Sequence, residues 1–205
     1  RDGYERTRIV REAYPELALA VDANQSYTYD QLDMVAAYND LHLLCIEEPF
    51  SMTNLTTYKA WKESLPNWPI TTSICLDESI LSYDDLSYAI EYRLIDVLNV
   101  KVGRLGGLIQ TRAAILRCRE AGIPYWIGSM VESGISKILH VQLAALGDTY
   151  MAGDLSDSSR YFEHDLINPA ILFTDGSMQV PNGAGLGVDV LDNRIEEYTV
   201  EKRIL

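Results

Sequence analysis

Four charged side chains stand at the ends of four successive β-rich runs, and together they describe a cation site beside an amine. Asp22 follows the run 17–21, Glu47 follows 43–46, Asp77 follows 70–76 and Lys101 follows 95–100. Side chains alternate along a strand, so Asp22 and Asn24 share a face, as do Cys45 and Glu47, Cys75 and Asp77, and Asn99 and Lys101. On adjacent strand ends the carboxylates of Asp22, Glu47 and Asp77 would converge and repel one another unless a cation joined them. An all-oxygen set with room for water and substrate suits Mg²⁺, with Mn²⁺ as the alternative, better than zinc or copper. A single strand-end aspartate more often caps a helix or faces solvent; three in succession followed by a lysine form a pattern. Glu48 and Glu78 have the opposite parity and are expected behind the ligands or facing outward. On position alone, Lys101 serves equally as a salt-bridge partner for the acids or as a catalytic amine. The chemistry such a set supports is proton abstraction next to a carboxylate, with a cation offsetting the charge that develops.

The elements that must position these groups recur with a rhythm. Two further β-rich runs, 124–128 before Ser129 and a weaker one at 150–152 before Asp154, extend the series to six. The polar ends are spaced 25, 30, 24, 28 and 25 residues apart, each about the length of a strand, a helix and two loops. Helices are predicted over 29–41, 55–65 after Thr53 and Asn54, 84–90 after Ser82, 109–120 closed by Gly122, and 135–146 closed by Gly147. Alternating helices and near-continuously apolar strands imply a parallel sheet covered on both faces. An open doubly wound sheet would gather its chemistry at one switch point, often with a Gly-rich phosphate turn. No such turn is present, and polar residues follow every strand, which favours an α/β fold of the (β/α)8 TIM-like barrel class with its active-site face at the strand C-termini. Six units against a barrel's eight lead us to expect two strands upstream of Arg1, leaving the barrel incomplete in this chain.

Past Asp165 the rhythm stops. A hairpin is predicted at 173–180, turning at Asp175-Gly176, then a loop at 181–187 and a short helix within 189–198. Residues 1–180 are accordingly read as barrel and 181–205 as an extension packing back on the barrel or a cap, with no linker between them.

Composition narrows the partners. The 205 residues are 47% apolar and 23% charged, an ordinary globular balance, and no apolar run is long enough to span a membrane. A formal charge of −13 argues against nucleic acid and anionic membrane surfaces, which reward clustered Lys and Arg. The expected partner is a small-molecule carboxylate substrate, with assembly into a homo-oligomer left open. Cys45, Cys75 and Cys118 are odd in number and form no CxxC pair, so buried free thiols in a reducing cytoplasm are expected. His42, His140 and His164 lack a shared ligand spacing and read as structural or surface residues.

Asp22-Ala23-Asn24, Ile46-Glu47-Glu48-Pro49, Cys75-Leu76-Asp77-Glu78-Ser79 and Asn99-Val100-Lys101-Val102-Gly103-Arg104-Leu105-Gly106-Gly107 resemble consecutive motifs of the enolase superfamily. With Gly128-Ser129-Met130-Val131-Glu132-Ser133-Gly134, the likeness is greatest to its o-succinylbenzoate synthase / N-acylamino acid racemase group. The resemblance covers residues 1–200. It implies Mg²⁺ held by Asp22, Glu47 and Asp77, a catalytic Lys101 facing a second lysine, and Asn24, Ser129 and Met130 near substrate. The family usually has Gln where this chain has Glu48. The Lys-x-Lys that carries the second lysine, and the capping domain, are expected before Arg1. The implied activity is dehydration of 2-succinyl-6-hydroxy-2,4-cyclohexadiene-1-carboxylate to o-succinylbenzoate in menaquinone synthesis, or racemisation of N-succinyl- or N-acylamino acids with the same ligands and both lysines. A barrel piece that binds metal or a partner chain without turnover is the contrasting class.

Overall fold

The structure, a computed structural model, describes residues 2–203. Helix α1 (Asp2–Ala13) leads into strand β1 (Val21–Asp22), and α2 (Leu32–Ala36) lies between two single 3₁₀ turns. Then come β2 (Ile46–Glu47), α3 (Leu55–Ser64), β3 (Ile74–Leu76), α4 (Tyr83–Glu91), β4 (Val97–Val100), α5 (Leu108–Ala121), β5 (Tyr125–Ile127) and α6 (Gly134–Ala144). The remainder carries β6 (Ile167–Asn168), β7 (Phe173–Thr174), β8 (Ser177–Met178), β9 (Asp189–Val190) and α7 (Asp192–Tyr198). Strands β1 to β5 form one sheet in sequence order, with β1 to β4 pairing in parallel. That is the βα alternation expected of barrel units.

The chain divides into two compact units. One comprises the chain through Val100 together with Arg104–Tyr125; the other comprises Lys101–Gly103 and the chain from Trp126 onward. In the first, Ile46, Ile74, Leu76 and Leu98 are fully buried on the sheet, and Val35, Tyr58, Leu86 and Ala89 bring the helices onto them. The local signals are satisfied: Asn54 Oδ1 accepts the Thr57 N–H at 2.8 Å to start α3, and Ser82 Oγ accepts the Asp85 N–H at 3.1 Å to start α4. Gly122, left-handed at φ 68, closes α5. In the second unit Ile138, Val141, Ile167 and Ile171 form a core, against which Leu186 and Val188 of the final segment pack.

Three expectations change. The run at 150–152 forms no strand, and the segment beside β5 is held where the Asp154 N–H meets the Ile127 carbonyl at 3.1 Å, so the sheet has five strands rather than six. Residues 29–41 form one short α-turn flanked by 3₁₀ turns rather than a continuous helix. Helix α1 has no counterpart among the expected elements. The hairpin forms as β7 and β8, with Asp175 and Gly176 both left-handed at φ 50 and 74. All three cysteines are buried free thiols, and burial pushes the Cys118 thiol up to about 12.

Candidate active site

In the first unit the register sets the acids in rows. Asp22 is paired with Glu47, and Glu47 with Cys75, across β1, β2 and β3. Asp77 stands one pleat beyond Cys75, just past the end of β3. Glu47 and Asp77 are buried, at 6% and 2% exposure, while Asp22 is exposed and its Oδ1 accepts the Asn24 N–H at 2.9 Å. Asn24 is exposed too, in a left-handed turn with Gln25. The expected convergence of the three carboxylates is not seen: among the described residues no group of three His, Cys, Asp or Glu stands close enough to hold a metal ion. The donor set is right in kind, three carboxylates at three neighbouring strand ends. One buried polar atom beside it, Asn99 Oδ1, has no hydrogen-bond partner, while the Asn99 amide donates to Glu47 Oε1 at 2.6 Å.

Arg104 sits among these acids. It forms an ion pair with Asp77, donates to the Ile80 carbonyl at 3.0 Å and to the Asn99 carbonyl, and acts electrostatically on Glu47 and Glu48. Burial pulls the guanidinium down to about 10, so it stays charged at neutral pH. Glu78 is exposed, as parity expects. Glu48 does not face outward. Its φ of 41 ends the alternation after Glu47, and its carboxylate is wholly buried. There Oε2 accepts the Asp77 N–H at 2.7 Å, and Oε1 accepts Gln25 Nε2 at 3.3 Å and the Ser79 hydroxyl. Burial raises its pKa, against the opposing bonds from Ser79 and Gln25 and the charge of Arg104. Glu48 thus holds the backbone of a candidate ligand. Of the two places expected for Glu48, it takes the one behind the ligands; Arg104 escaped sequence reasoning, although it lies in the quoted Lys-x-Gly-Arg turn.

The second unit contains Lys101, partly buried, with Val102 and Gly103. It also contains the turn bearing Ser129, whose hydroxyl donates to the Asp154 carbonyl at 2.7 Å, and Met130, half exposed. Behind that turn Glu132 accepts the Met130 N–H at 3.1 Å and the Ser136 hydroxyl at 2.5 Å. His140 is fully buried on α6, with Nδ1 3.0 Å from Glu132 and Nε2 accepting the Val102 N–H at 2.8 Å. Burial pushes the Glu132 carboxyl up, but the bonds from His140, Ser136 and Met130 outweigh it and hold the group below its ordinary range.

A family model described as "Enolase C-terminal domain-like" matches residues 1–194. The chain is 35% identical over 192 residues to an o-succinylbenzoate synthase of Geobacillus kaustophilus, covering 94% of this chain and 50% of that protein. It is 36% identical over 202 residues to an N-succinylamino acid racemase of Thermus thermophilus, covering 98% and 53%. Among solved structures, an enolase-superfamily member from Enterococcus faecalis superposes with a TM-score of 0.84 at 31% identity, covering 95% of this chain and 51% of that one. The chain spans about half the length of the curated relatives it matches.

Proposed function

We propose, for a chain that belongs to the Enolase C-terminal domain-like family, that it supplies the ligand-bearing and lysine-bearing strand ends of a Mg²⁺-dependent o-succinylbenzoate synthase. The observation that carries this reading is the order Asp22, Glu47, Asp77, Lys101 at the ends of β1, β2, β3 and β4. Asp22, Glu47 and Asp77 would hold the cation. When bound, Mg²⁺ supplies the positive charge that offsets the second negative charge developing on a substrate carboxylate. Glu48 keeps the Asp77 backbone fixed, and Asn99 keeps Glu47 oriented. In dehydration, Lys101 Nζ holds its proton and stabilises the enediolate, while the second lysine implied by the family removes the α-proton and then protonates the departing hydroxyl. The family resemblance implies Asn24, Ser129 and Met130 near the substrate.

Racemisation of N-succinylamino acids is the second reading, favoured by the racemase relative at 36% identity against 35% for the synthase. There Lys101 Nζ would give or take the α-proton from one face, and the second lysine would act from the other. Both reactions begin by removing a proton next to a carboxylate, so ligands and lysine cannot separate them. Assays of the full-length protein with Mg²⁺ on both substrates decide: dehydration well above racemisation supports the synthase, the reverse supports the racemase, and turnover of neither overturns both.

A further inference from the structure

We propose that His140 and Glu132 are a positioning pair that sets the backbone on which Lys101 stands and, through the same carboxylate, the turn bearing Met130. The inference rests on the reading of Lys101 as the reacting amine. Val102 is the second residue past the end of β4, where the strand ladder no longer supplies an acceptor for its N–H. A buried N–H without a partner is costly, and here the acceptor is His140 Nε2 at 2.8 Å. Accepting at Nε2 puts the imidazole proton on Nδ1, which lies 3.0 Å from Glu132 Oε1 in an electrostatic contact rather than an aligned hydrogen bond. The same oxygen accepts the Met130 N–H at 3.1 Å, and the other carboxylate oxygen accepts the Ser136 hydroxyl. A fully buried ring bonded to the peptide after Lys101 thus lies against the carboxylate that holds the peptide before Met130. Its Glu132 partner stays ionised, because its hydrogen bonds outweigh the cost of burial. Reacting groups must be held within about 0.5 Å and 10–20° of productive geometry. A lysine amine at the end of a long side chain magnifies small rotations of its own backbone.

The test uses the full-length protein with His140→Ala and His140→Gln. Glutamine's Oε1 can stand where Nε2 stands and accept the Val102 N–H. A misplacement of about 1 Å costs about 10²-fold in rate, so His140→Ala should lower kcat by about that factor with KM little changed. His140→Gln should recover about tenfold of the loss. A His140→Ala enzyme with near-wild-type kcat, or a folded His140→Gln enzyme no better than it, overturns the proposal. Amide exchange gives a readout independent of activity. His140→Ala should speed exchange at Val102 while leaving Leu76 and Leu98 in the sheet protected, and unchanged Val102 exchange also overturns it. Turnover of neither substrate by the wild type would instead remove the proposed function, and Val102 exchange would then decide alone whether His140 sets the Lys101 backbone.

Discussion

Glu48 and Glu78 each follow a candidate ligand by one residue, yet their surroundings are opposite. Glu48 is wholly buried and accepts from Asp77, Gln25 and Ser79, whereas Glu78 is exposed. Replacing Glu48 by Gln turns an NH₂ toward donors that need an acceptor, so chemical denaturation should show a loss of about 1–3 kcal/mol. Glu78→Gln should stay within about 0.5 kcal/mol. Activity should separate the neighbours differently: Asp77→Asn abolishes Mg²⁺-dependent turnover and Glu78→Gln lowers it less, and equal losses would refute the ligand assignment. Strand parity made Glu47 and Asp77 legible as inward acids. It left Glu48 two places, behind the ligands or outward, and the left-handed residue that ends the alternation there puts it behind them, a choice that nothing in the string Glu47-Glu48-Pro49 marks. Glu132 gives a pH test. Its folded pKa lies below the ordinary 4.5, so its stabilising contribution is complete above that value and is lost as pH falls through the folded pKa. Thermal melts should therefore show wild type more stable than Glu132→Gln at neutral pH, with the gap closing on acidification below about pH 4.

At the scale of elements, two glycines flanking helices separate backbone strain from crowding. Gly122 ends α5 at φ 68, and a Cβ there would meet nothing within 4 Å, so Gly122→Ala should cost about 1 kcal/mol of backbone strain alone. Gly134 opens α6 without a left-handed φ, but a Cβ would collide with Asp165 Oδ2 and with the Ile167 side chain. It would also press on the carboxylate whose Oδ1 accepts the Gly134 N–H at 2.8 Å. Gly134→Ala should cost more, about 2–3 kcal/mol, and paired denaturant titrations would rank them. Gly122 was legible as a helix stop because its role is local; Gly134 was not, because its constraint comes from a residue 31 positions away. The same division runs through the fold. Caps and stops placed α3, α4 and α5 to within a few residues, since the residues that signal them sit beside them. The 29–41 segment misled because its buried positions Val35, Tyr38 and Leu41 recur every three residues, the 3₁₀ repeat, which also passes as one side of an α-helical pattern. The 150–152 run is apolar, yet Tyr150 is 39% exposed, and a strand needs a ladder as well as composition. Helix α1 buries no residue and is held by Tyr4 against the Tyr38 ring and by Arg11 donating to the Leu41 carbonyl at 2.9 Å, contacts that leave no apolar stripe to detect.

For the molecule as a whole, the net charge of −13 and the three strand-end carboxylates make different claims on cations. General self-repulsion is relieved by any salt, because screening acts on all exposed charges within about 10 Å at 0.1 M ionic strength. A site built by Asp22, Glu47 and Asp77 would respond to a divalent cation beyond that effect and would stabilise the folded state by mass action. At a Mg²⁺ concentration about 100 times Kd the gain is about 2.7 kcal/mol. Asp22 is the informative position: it is exposed, so Asp22→Asn should leave the buried core intact while removing one donor. In melts at constant ionic strength, replacing NaCl by MgCl₂ should raise the Tm of the full-length wild-type protein. The same exchange should leave Asp22→Asn nearly unmoved, with both proteins responding alike to NaCl alone. A Mg²⁺ shift of equal size in the two would assign the effect to net charge and remove Asp22 from the ligand set. A shift confined to the wild type would tie the acidity of the chain, at this one place, to the chemistry proposed for it.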